Sequence, residues 1–363
     1  MKKLLLIAIN VLIALTLFSQ GDLSQEEQDL LNKVNAENAA SAATAESQEA
    51  YNNGILLFGK KEYKSAISAF TKAINGDPKF EAAYYNKGVA QNQAKLYKSA
   101  ITTFSALIKL NDENANAYAQ RALAYQKKGQ LKKAVSDYAQ AQYFDTKNEK
   151  HFYNGGGVLF MLGEYDKAIK SLTKAIELKS DFYAAYNDRG SCYRMKKNYK
   201  QALVDYQNAG KYGPKHAFVF NNIGTVKKQL KDYQGAKDAY SKAVSLDPKF
   251  YLAYNNRGAM NMEQGKINEA MIDFNKAIAI NSKYAPAYNN RGIIKHKKKK
   301  YKDAIKDFSK AISLDKNFAD AYANRGVSKE MNRDMEGACK DWSKANELGS
   351  ENGTTYHSGN CSF

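Results

Sequence analysis

Asparagine recurs in this sequence at a fixed spacing that could place its side-chain amides in a row. The hexapeptide AYNNRG stands at residues 253–258 and again, unchanged, at 287–292, which is 34 residues later. Asparagine is a poor helix former, so its recurrence within helical patterns needs a reason beyond solubility. One Asn side chain offers both a donor and an acceptor, which match a peptide N–H and C=O whatever the side chains of that peptide are. The recurrence therefore predicts a row of amides that binds an extended peptide.

Two series of residues make up this candidate peptide-binding groove. Two alternatives to ligand binding would give the same recurrence: a remnant of repeat duplication, or hydrogen bonding inside the folded array. The first series, at 34-residue intervals, is Asn52, Asn86, Gln120, Asn154, Asp188, Asn222, Asn256, Asn290 and Asn324. The second series, one residue earlier at four of these places, is Asn187, Asn221, Asn255 and Asn289.

Arginine and aspartate recur together in a way that indicates contact. Five residues of the first series are followed directly by Arg, and in each case Asp stands 16 residues after that Arg. The four remaining places have neither residue, and positions that vary together usually touch. A guanidinium group binds a carboxylate through two parallel hydrogen bonds. We therefore predict five structural bridges, which are Arg121–Asp137, Arg189–Asp205, Arg257–Asp273, Arg291–Asp307 and Arg325–Asp341.

The chain is strongly basic, with a formal net charge of +18, and it contains the run KHKKKK at 295–300. The run indicates either a solvated helix end or a binding site for an anionic polymer, such as nucleic acid, acidic polysaccharide or lipid headgroups. The candidate residues of that site are Lys295, Lys297, Lys298, Lys299 and Lys300.

Catalytic chemistry has little support in the sequence. The four histidines lack metal-ligand spacing, and no arrangement of Ser, His and Asp typical of a nucleophilic site occurs. The segment 54–60 approximates a phosphate-binding loop, but Lys61 replaces the required Ser or Thr and the segment lies in a helical pattern. We therefore expect no enzyme, no metal and no cofactor.

A repeat of 34 residues positions all of these side chains. Residues 47–352 divide into nine repeats without insertion or deletion, which start at 47, 81, 115, 149, 183, 217, 251, 285 and 319. Position 8 of the repeat is Gly in eight cases and Ala in one, position 20 is always Ala, and position 24 is large and mostly aromatic. Positions 4, 8 and 11 and positions 20, 24 and 27 form two helical stripes, which predict two antiparallel helices per repeat. In this numbering the first Asn series is at position 6 and the second at position 5.

The segment 47–352 resembles the tetratricopeptide repeat family, whose pattern has small residues at positions 8, 20 and 27, aromatic residues at 4 and 24, and Pro at 32. Pro78, Pro214 and Pro248 stand at position 32 here. The resemblance implies an all-α, right-handed superhelical solenoid in which the first helices line a concave groove. It also implies a non-catalytic scaffold for a protein or peptide partner, since similar arrays use Asn at position 6 to hold peptide backbone.

The residues outside the repeats indicate where the protein is located and how the ends of the repeat array are formed. Residues 1–20 are typical of a secretory signal peptide, because two lysines precede an apolar stretch that is too short to span a bilayer. An uncleaved anchor is the alternative, and no cysteine of the lipoprotein type follows the stretch. We expect residues 21–46 to be an N-terminal capping helix or linker, and 353–363 to be a short polar tail without a closing helix. The expected location is periplasmic or secreted.

Three cysteines allow at most one disulfide bond. The best pairing is Cys339 with Cys361, which would pin the tail to the last helix, and we expect Cys192 to be a buried thiol.

Three consecutive glycines, Gly155, Gly156 and Gly157, fall in the middle of a predicted helix, where each costs about 1 kcal/mol relative to Ala. This run indicates a weakened helix, a hinge, or a place where the backbone of a ligand comes close.

Overall fold

The computed structural model describes residues 45–351, 355–356, 359 and 361 of the 363-residue chain. These residues belong to two compact units, of which the first ends at Ser180 and the second begins at Asp181. Between Ala45 and Glu347, eighteen α-helices follow one another as pairs, and the described residues contain no strand. The predicted all-α architecture of antiparallel helix pairs is confirmed within each unit.

The first unit contains the helices of repeats 1 to 4. In chain order they are α1 Ala45–Gly59, α2 Tyr63–Gly76, α3 Glu81–Gln93, α4 Tyr97–Leu110, α5 Ala115–Lys127, α6 Leu131–Phe144, α7 Glu149–Met161 and α8 Tyr165–Leu178.

The second unit contains the helices of repeats 5 to 9. They are α9 Tyr183–Met195, α10 Tyr199–Tyr212, α11 Ala217–Gln229, α12 Tyr233–Leu246, α13 Tyr251–Glu263, α14 Ile267–Ile280, α15 Ala285–Lys297, α16 Tyr301–Leu314, α17 Ala319–Met331 and α18 Met335–Glu347.

The two helices of a repeat pack by placing a small residue against a large ring. Gly258 in α13 lies against the buried ring of Phe274 in α14, and a Cβ atom on Gly258 would stand only 2.8 Å from that ring. Gly292 has the same relation to Phe308, at 2.7 Å. A larger residue at position 8 would therefore push the two helices apart.

The turn inside each repeat has one residue, at position 15, in the left-handed backbone region. Three repeats have glycine there, namely Gly129, Gly163 and Gly265. A residue with a Cβ atom pays about 1–2 kcal/mol for this conformation. The six other repeats nevertheless have a basic residue, with φ between 59° and 66°, and these are Lys61, Lys95, Lys197, Lys231, Lys299 and Arg333.

The expected signal peptide, residues 1–20, lies outside the described residues. Most of the expected capping segment lies outside them as well, but its last two residues belong to α1, which begins at Ala45. None of the described helices is both long and apolar enough to cross a membrane.

Two described residues of the C-terminal tail, Tyr356 and Cys361, contact the last repeat. Thr355, Tyr356 and Gly359 have helical backbone, so the expectation of a tail without helix is wrong for these described residues. The ring of Tyr356 stacks on Trp342 of α18 with 5.4 Å between ring centroids, and Cys361 is bonded to Cys339. The third cysteine, Cys192, is buried, and burial raises the pKa of its thiol to about 12.

Candidate functional site

In the second unit, four of the five side chains at position 6 donate to the side chain at position 5 of the preceding repeat. The amide of Asn256 donates from Nδ2 to Oδ1 of Asn221 at 2.9 Å. Because the two series are 35 residues apart, each bond joins the first helices of neighbouring repeats. The same bond recurs as Asn222–Asn187 at 2.9 Å, Asn290–Asn255 at 3.0 Å and Asn324–Asn289 at 3.1 Å.

This pairing corrects part of the predicted groove. Asn255 and Asn289 are each only 6% exposed, so the expectation that they contact a ligand is wrong. Their Oδ1 atoms are already occupied by the next repeat, and the stacked helices close over them. Asn187 and Asn221 are half-buried, and their Oδ1 atoms are occupied in the same way.

Four of the position 6 residues in the second unit have a side-chain oxygen that accepts no hydrogen bond from the described residues. Asn222, Asn256, Asn290 and Asn324 are half-buried, and within the described part of the chain their Oδ1 atoms receive no hydrogen bond. Because Nδ2 donates to the preceding repeat, Oδ1 of the same amide points away from that hydrogen bond. Asp188 differs from this pattern, since its carboxylate accepts from Asn187 in its own repeat at 3.0 Å.

In the first unit the same series has no regular pattern. Asn86 is 4% exposed and donates to the hydroxyl of Tyr51 at 2.7 Å, so it is too buried to contact a ligand as predicted. Asn52 accepts from Gln48 at 3.0 Å, and the side chain of Gln120 accepts from Asn92 at 3.2 Å. Asn154 alone of the four is exposed.

We use the name "first-helix face" for positions 2, 6, 9 and 13 of the first helices in repeats 5 to 9. These positions share one side of a helix. Three apolar side chains are exposed on this face beside the amides: Met195 at 45%, Phe218 at 40% and Met331 at 51%. The face therefore combines directed carbonyl oxygens with uncovered apolar surface.

The structure brings together all five predicted Arg–Asp pairs. In α13, Arg257 donates from Nε to Oδ2 of Asp273 at 3.0 Å and from Nη2 to Oδ1 at 2.6 Å. Asp273 is 3% exposed. The pairs Arg121–Asp137, Arg189–Asp205, Arg291–Asp307 and Arg325–Asp341 have the same two bonds, at 2.6 to 2.9 Å.

These arginines make two further contacts that sequence reasoning missed. The Nη1 atom of Arg291 donates to Oδ1 of Asn275 in the preceding repeat at 2.9 Å, and its guanidinium lies 5.4 Å from the ring centre of Tyr288. The hydrogen bond to Asp307 holds the pKa of Arg291 above its usual value. A sequence signal exists, because all five arginines follow a Tyr by three residues, at Tyr118, Tyr186, Tyr254, Tyr288 and Tyr322.

The predicted anion site at 295–300 is partly occupied by internal contacts. Lys295 is 2.7 Å from Oδ2 of the buried Asp307, so its assignment to an anion site is wrong. Lys298 donates to Asn268 at 3.1 Å. Lys297, Lys299 and Lys300 are exposed, and the last two line an open pocket of about 450 Å³ together with Tyr301, Lys302, Asp303 and Asn332.

The glycine run leaves its helix intact. Helix α7 runs without a break from Glu149 to Met161. Gly156 packs on Leu172, where a Cβ atom would stand 2.7 Å from Cγ, whereas a Cβ atom on Gly157 would meet nothing within 4 Å. Gly157 is at position 9, where other repeats have a side chain, so it opens space beside Asn154.

Metal binding has no support in the described residues, where no group of three or more His, Cys, Asp or Glu side chains comes together.

Paired helices with a small residue against a large one in each repeat define a tandem array of helical hairpins. Models of the tetratricopeptide repeat match residues 51–115 and 157–214, residues 115–148 and 219–250, and residues 285–318; a TPR repeat model matches 260–299. The chain belongs to the tetratricopeptide repeat family.

Solved structures show the same fold at low sequence identity. A chain of the APC/C hetero-tetramer Cut9–Hcn1 is 14% identical, with a TM-score of 0.57, and the match covers 88% of this chain and 64% of that one. PilF of Pseudomonas aeruginosa is 18% identical, with a TM-score of 0.52 and coverage of 58% and 97%. PilW, described as a type IV pilus biogenesis factor, is 20% identical, with a TM-score of 0.52 and coverage of 57% and 97%. No curated protein sequence matches this chain.

Proposed function

We propose that the protein is an interaction scaffold that binds an extended segment of a partner protein on the first-helix face. The observation that carries this proposal is the row of Oδ1 atoms on Asn222, Asn256, Asn290 and Asn324, which have no hydrogen bond within the described residues. An acceptor that is already oriented loses little conformational entropy when it binds. The natural donor for such a row is a series of backbone N–H groups, which every extended peptide presents.

The apolar side chains on the same face supply the anchoring contacts. Met195, Phe218 and Met331 are between 40% and 51% exposed, and a partner that covers them gains hydrophobic stabilisation. Amides that fix the backbone and apolar groups that hold side chains are the two parts of a peptide-binding surface.

Two of the solved structures with the same fold are consistent with an interaction scaffold. One of the similar structures is a hetero-tetramer, Cut9–Hcn1, and PilW is described as a pilus biogenesis factor. At 14% and 20% identity these likenesses concern the fold, so the choice of partner and site is our own proposal.

Photo-crosslinking in cells tests the proposal. Met195 and Met331 occupy the same position four repeats apart. At about 9 Å between the first helices of neighbouring repeats, the distance between Met195 and Met331 is roughly 36 Å. An extended chain spans this distance with about eleven residues. Crosslinkers placed at these two positions should reach one partner, at sites about eleven residues apart in a single segment.

The matched control is a crosslinker at Ile272, which is 67% exposed on the second helix of repeat 7. It should capture little of the same partner. Crosslinks from Met195 and Met331 that fall in unrelated segments of the partner would show that no extended segment lies on this face.

We also propose that the protein acts outside the cytoplasm. The support is the disulfide bond between Cys339 and Cys361, because such bonds persist in oxidising compartments, together with the signal-like residues 1–20. Cell fractionation with mass spectrometry under non-reducing conditions tests this location. A reduced protein in the cytoplasmic fraction would contradict it.

A further inference from the structure

The turns inside repeats 1 to 3 form a strip of exposed lysines on the first unit. Helix α1 contacts α3, and α3 contacts α5, so the successive turns lie side by side. We name this strip the "lysine edge". Its members all have exposed side chains, and they are Lys61, Lys64, Lys95, Lys98, Lys128 and Lys132.

Two of these lysines have a backbone conformation that is unfavourable for any residue with a Cβ atom. Lys61 and Lys95 have φ values of 62° and 61°, in the left-handed region that favours glycine. In repeats 3 and 4 the same turn position is Gly129 and Gly163. A lysine at this place costs about 1–2 kcal/mol in backbone strain and, being exposed, contributes no packing. We therefore attribute the presence of lysine at this turn position to its charge.

Within the described part of the chain, the charge of the lysine edge is not neutralised by carboxylates. The three segments 59–65, 93–99 and 127–133 contain nine lysines and a single carboxylate, Glu62. None of the six edge lysines forms an ion pair with another described residue. The corresponding segment of repeat 4 is different, because there Lys167 pairs with Glu164 at 2.6 Å.

An exposed leucine lies within this charged strip. Leu96 stands between Lys95 and Tyr97, immediately before α4, and is 44% exposed. An exposed apolar side chain next to Lys95, in a lysine-rich turn, is suited to a surface that is anionic outside and apolar beneath.

The arrangement favours a flat partner over a nucleic acid strand. The lysines form two rows, one in the turns and one at the start of the second helices, so the charge is spread over an area. Base stacking needs free aromatic faces, but Tyr63 packs on Phe58 at 5.5 Å and Tyr97 packs against the core of repeat 2.

We propose that the lysine edge binds the surface of a membrane that contains anionic lipids, with Leu96 entering the headgroup region. Each lysine near such a surface contributes about a fivefold gain in partitioning, and salt weakens the attraction. This site is separate from the first-helix face, which belongs to the second unit.

Vesicle flotation tests the proposal. The protein is purified from cells that express the whole gene, so that every variant carries the same N-terminus. Vesicles of phosphatidylcholine alone are compared with vesicles that also contain phosphatidylglycerol. The edge variant carries Lys61→Gly, Lys95→Gly, Lys128→Gln and Lys132→Gln. We expect it to lose at least about 100-fold in partitioning to the anionic vesicles, since four charges are removed.

The control variant removes the same charge from exposed lysines elsewhere in the first unit. It carries Lys79→Gln, Lys109→Gln, Lys147→Gln and Lys170→Gln. We expect its partitioning to change by less than about threefold. Equal losses in the two variants, or equal binding of the unmodified protein to both kinds of vesicle, would overturn the proposal.

Two further measurements separate the membrane from other anionic partners. Leu96→Ser should lower partitioning about fivefold even at high salt, because its contribution is apolar. The unmodified protein is also titrated with duplex DNA and with heparin. Tighter binding to either polymer than to anionic vesicles, lost in the edge variant, would assign the lysine edge to that polymer and overturn the membrane proposal.

Discussion

The side-chain amide of Asn290 donates a hydrogen bond to Oδ1 of Asn255, which lies one repeat earlier, at a distance of 3.0 Å. Asn255 is 6% exposed, so this bond replaces water at a nearly closed contact between first helices. The two asparagines of the repeated hexapeptide thus make different contacts. The first accepts a bond from the following repeat, and the second donates one to the preceding repeat, while its Oδ1 accepts no hydrogen bond from the described residues.

Replacement of Asn255 should therefore lower stability. Asn255→Ala leaves the amide of Asn290 without its acceptor at a nearly closed contact, and we expect a loss of about 1–2 kcal/mol in the free energy of unfolding. Urea denaturation followed by circular dichroism measures this loss. Asn154→Ala is the matched control, since Asn154 is exposed, and it should change stability by less than about 0.5 kcal/mol. Equal effects of the two substitutions would contradict the structural role of Asn255.

A second prediction concerns the bridge between Arg257 and Asp273. Asp273 is 3% exposed, and removal of Arg257 leaves its carboxylate buried without its strongest partner. We expect Arg257→Ala and Asp273→Ala each to cost about 3 kcal/mol, and the double variant to cost clearly less than the sum.

The exposed pair Lys306–Asp303 provides the comparison for this double-mutant cycle. Its nitrogen and oxygen are 3.8 Å apart, and both side chains are more than half exposed. The coupling energy of this pair should be below about 0.5 kcal/mol, against at least about 1 kcal/mol for Arg257 and Asp273. Additive losses at Arg257 and Asp273 would mean that the two residues act independently.

Comparison among repeats explains why the Arg–Asp pairs were predictable and the Asn pairs were not. Arg257 and Asp273 belong to one repeat, so their joint presence and absence across nine repeats indicated a contact. Asn256 and Asn221 belong to different repeats. The position of a residue on its own helix does not reveal whether a helix of the next repeat buries it. The helix pairs and their packing were predictable from the two helical stripes, because a small residue at position 8 and a large residue at position 24 recur in all nine repeats.

Lys295 shows a related limit. Adjacency in sequence groups it with its lysine neighbours, but it lies at position 11, which faces the second helix. In repeats 7 and 9 the same position is Asn261 and Lys329, and both contact the Asp at position 23. Position 11 belongs to the stripe of positions 4, 8 and 11 that packs on the second helix, and this placement separates Lys295 from the exposed lysines that follow it.

A third prediction concerns the left-handed turn residues. Lys231 and Gly265 occupy the same turn position in repeats 6 and 7, with φ values of 63° and 73°. Lys231→Gly should raise the free energy of unfolding by about 0.5–1 kcal/mol, because glycine adopts this conformation without strain. Gly265→Lys should lower it by a similar amount. A Cβ atom on Gly265 meets nothing within 4 Å, so the backbone conformation alone is measured. Thermal unfolding of the two variants checks the signs, and the same sign for both would contradict the argument.

The last prediction concerns the disulfide bond between Cys339 and Cys361. The bond closes a loop with a sequence separation of 22, and a cross-link of this size stabilises a fold by about 3 kcal/mol, chiefly by restricting the unfolded chain. Reduction should therefore lower Tm.

Reduction should also shift the fluorescence of Trp342, the single tryptophan, to longer wavelength, because Tyr356 of the tail stacks on it. The control is the double variant Cys339→Ser with Cys361→Ser, which should show the lower Tm with or without reductant. Cys192 is buried and its thiol pKa is raised to about 12, so a thiol reagent at neutral pH should modify two cysteines of the reduced folded protein and spare the third. An unchanged Tm and an unchanged emission maximum after complete reduction would show that the tail does not stabilise the last repeat.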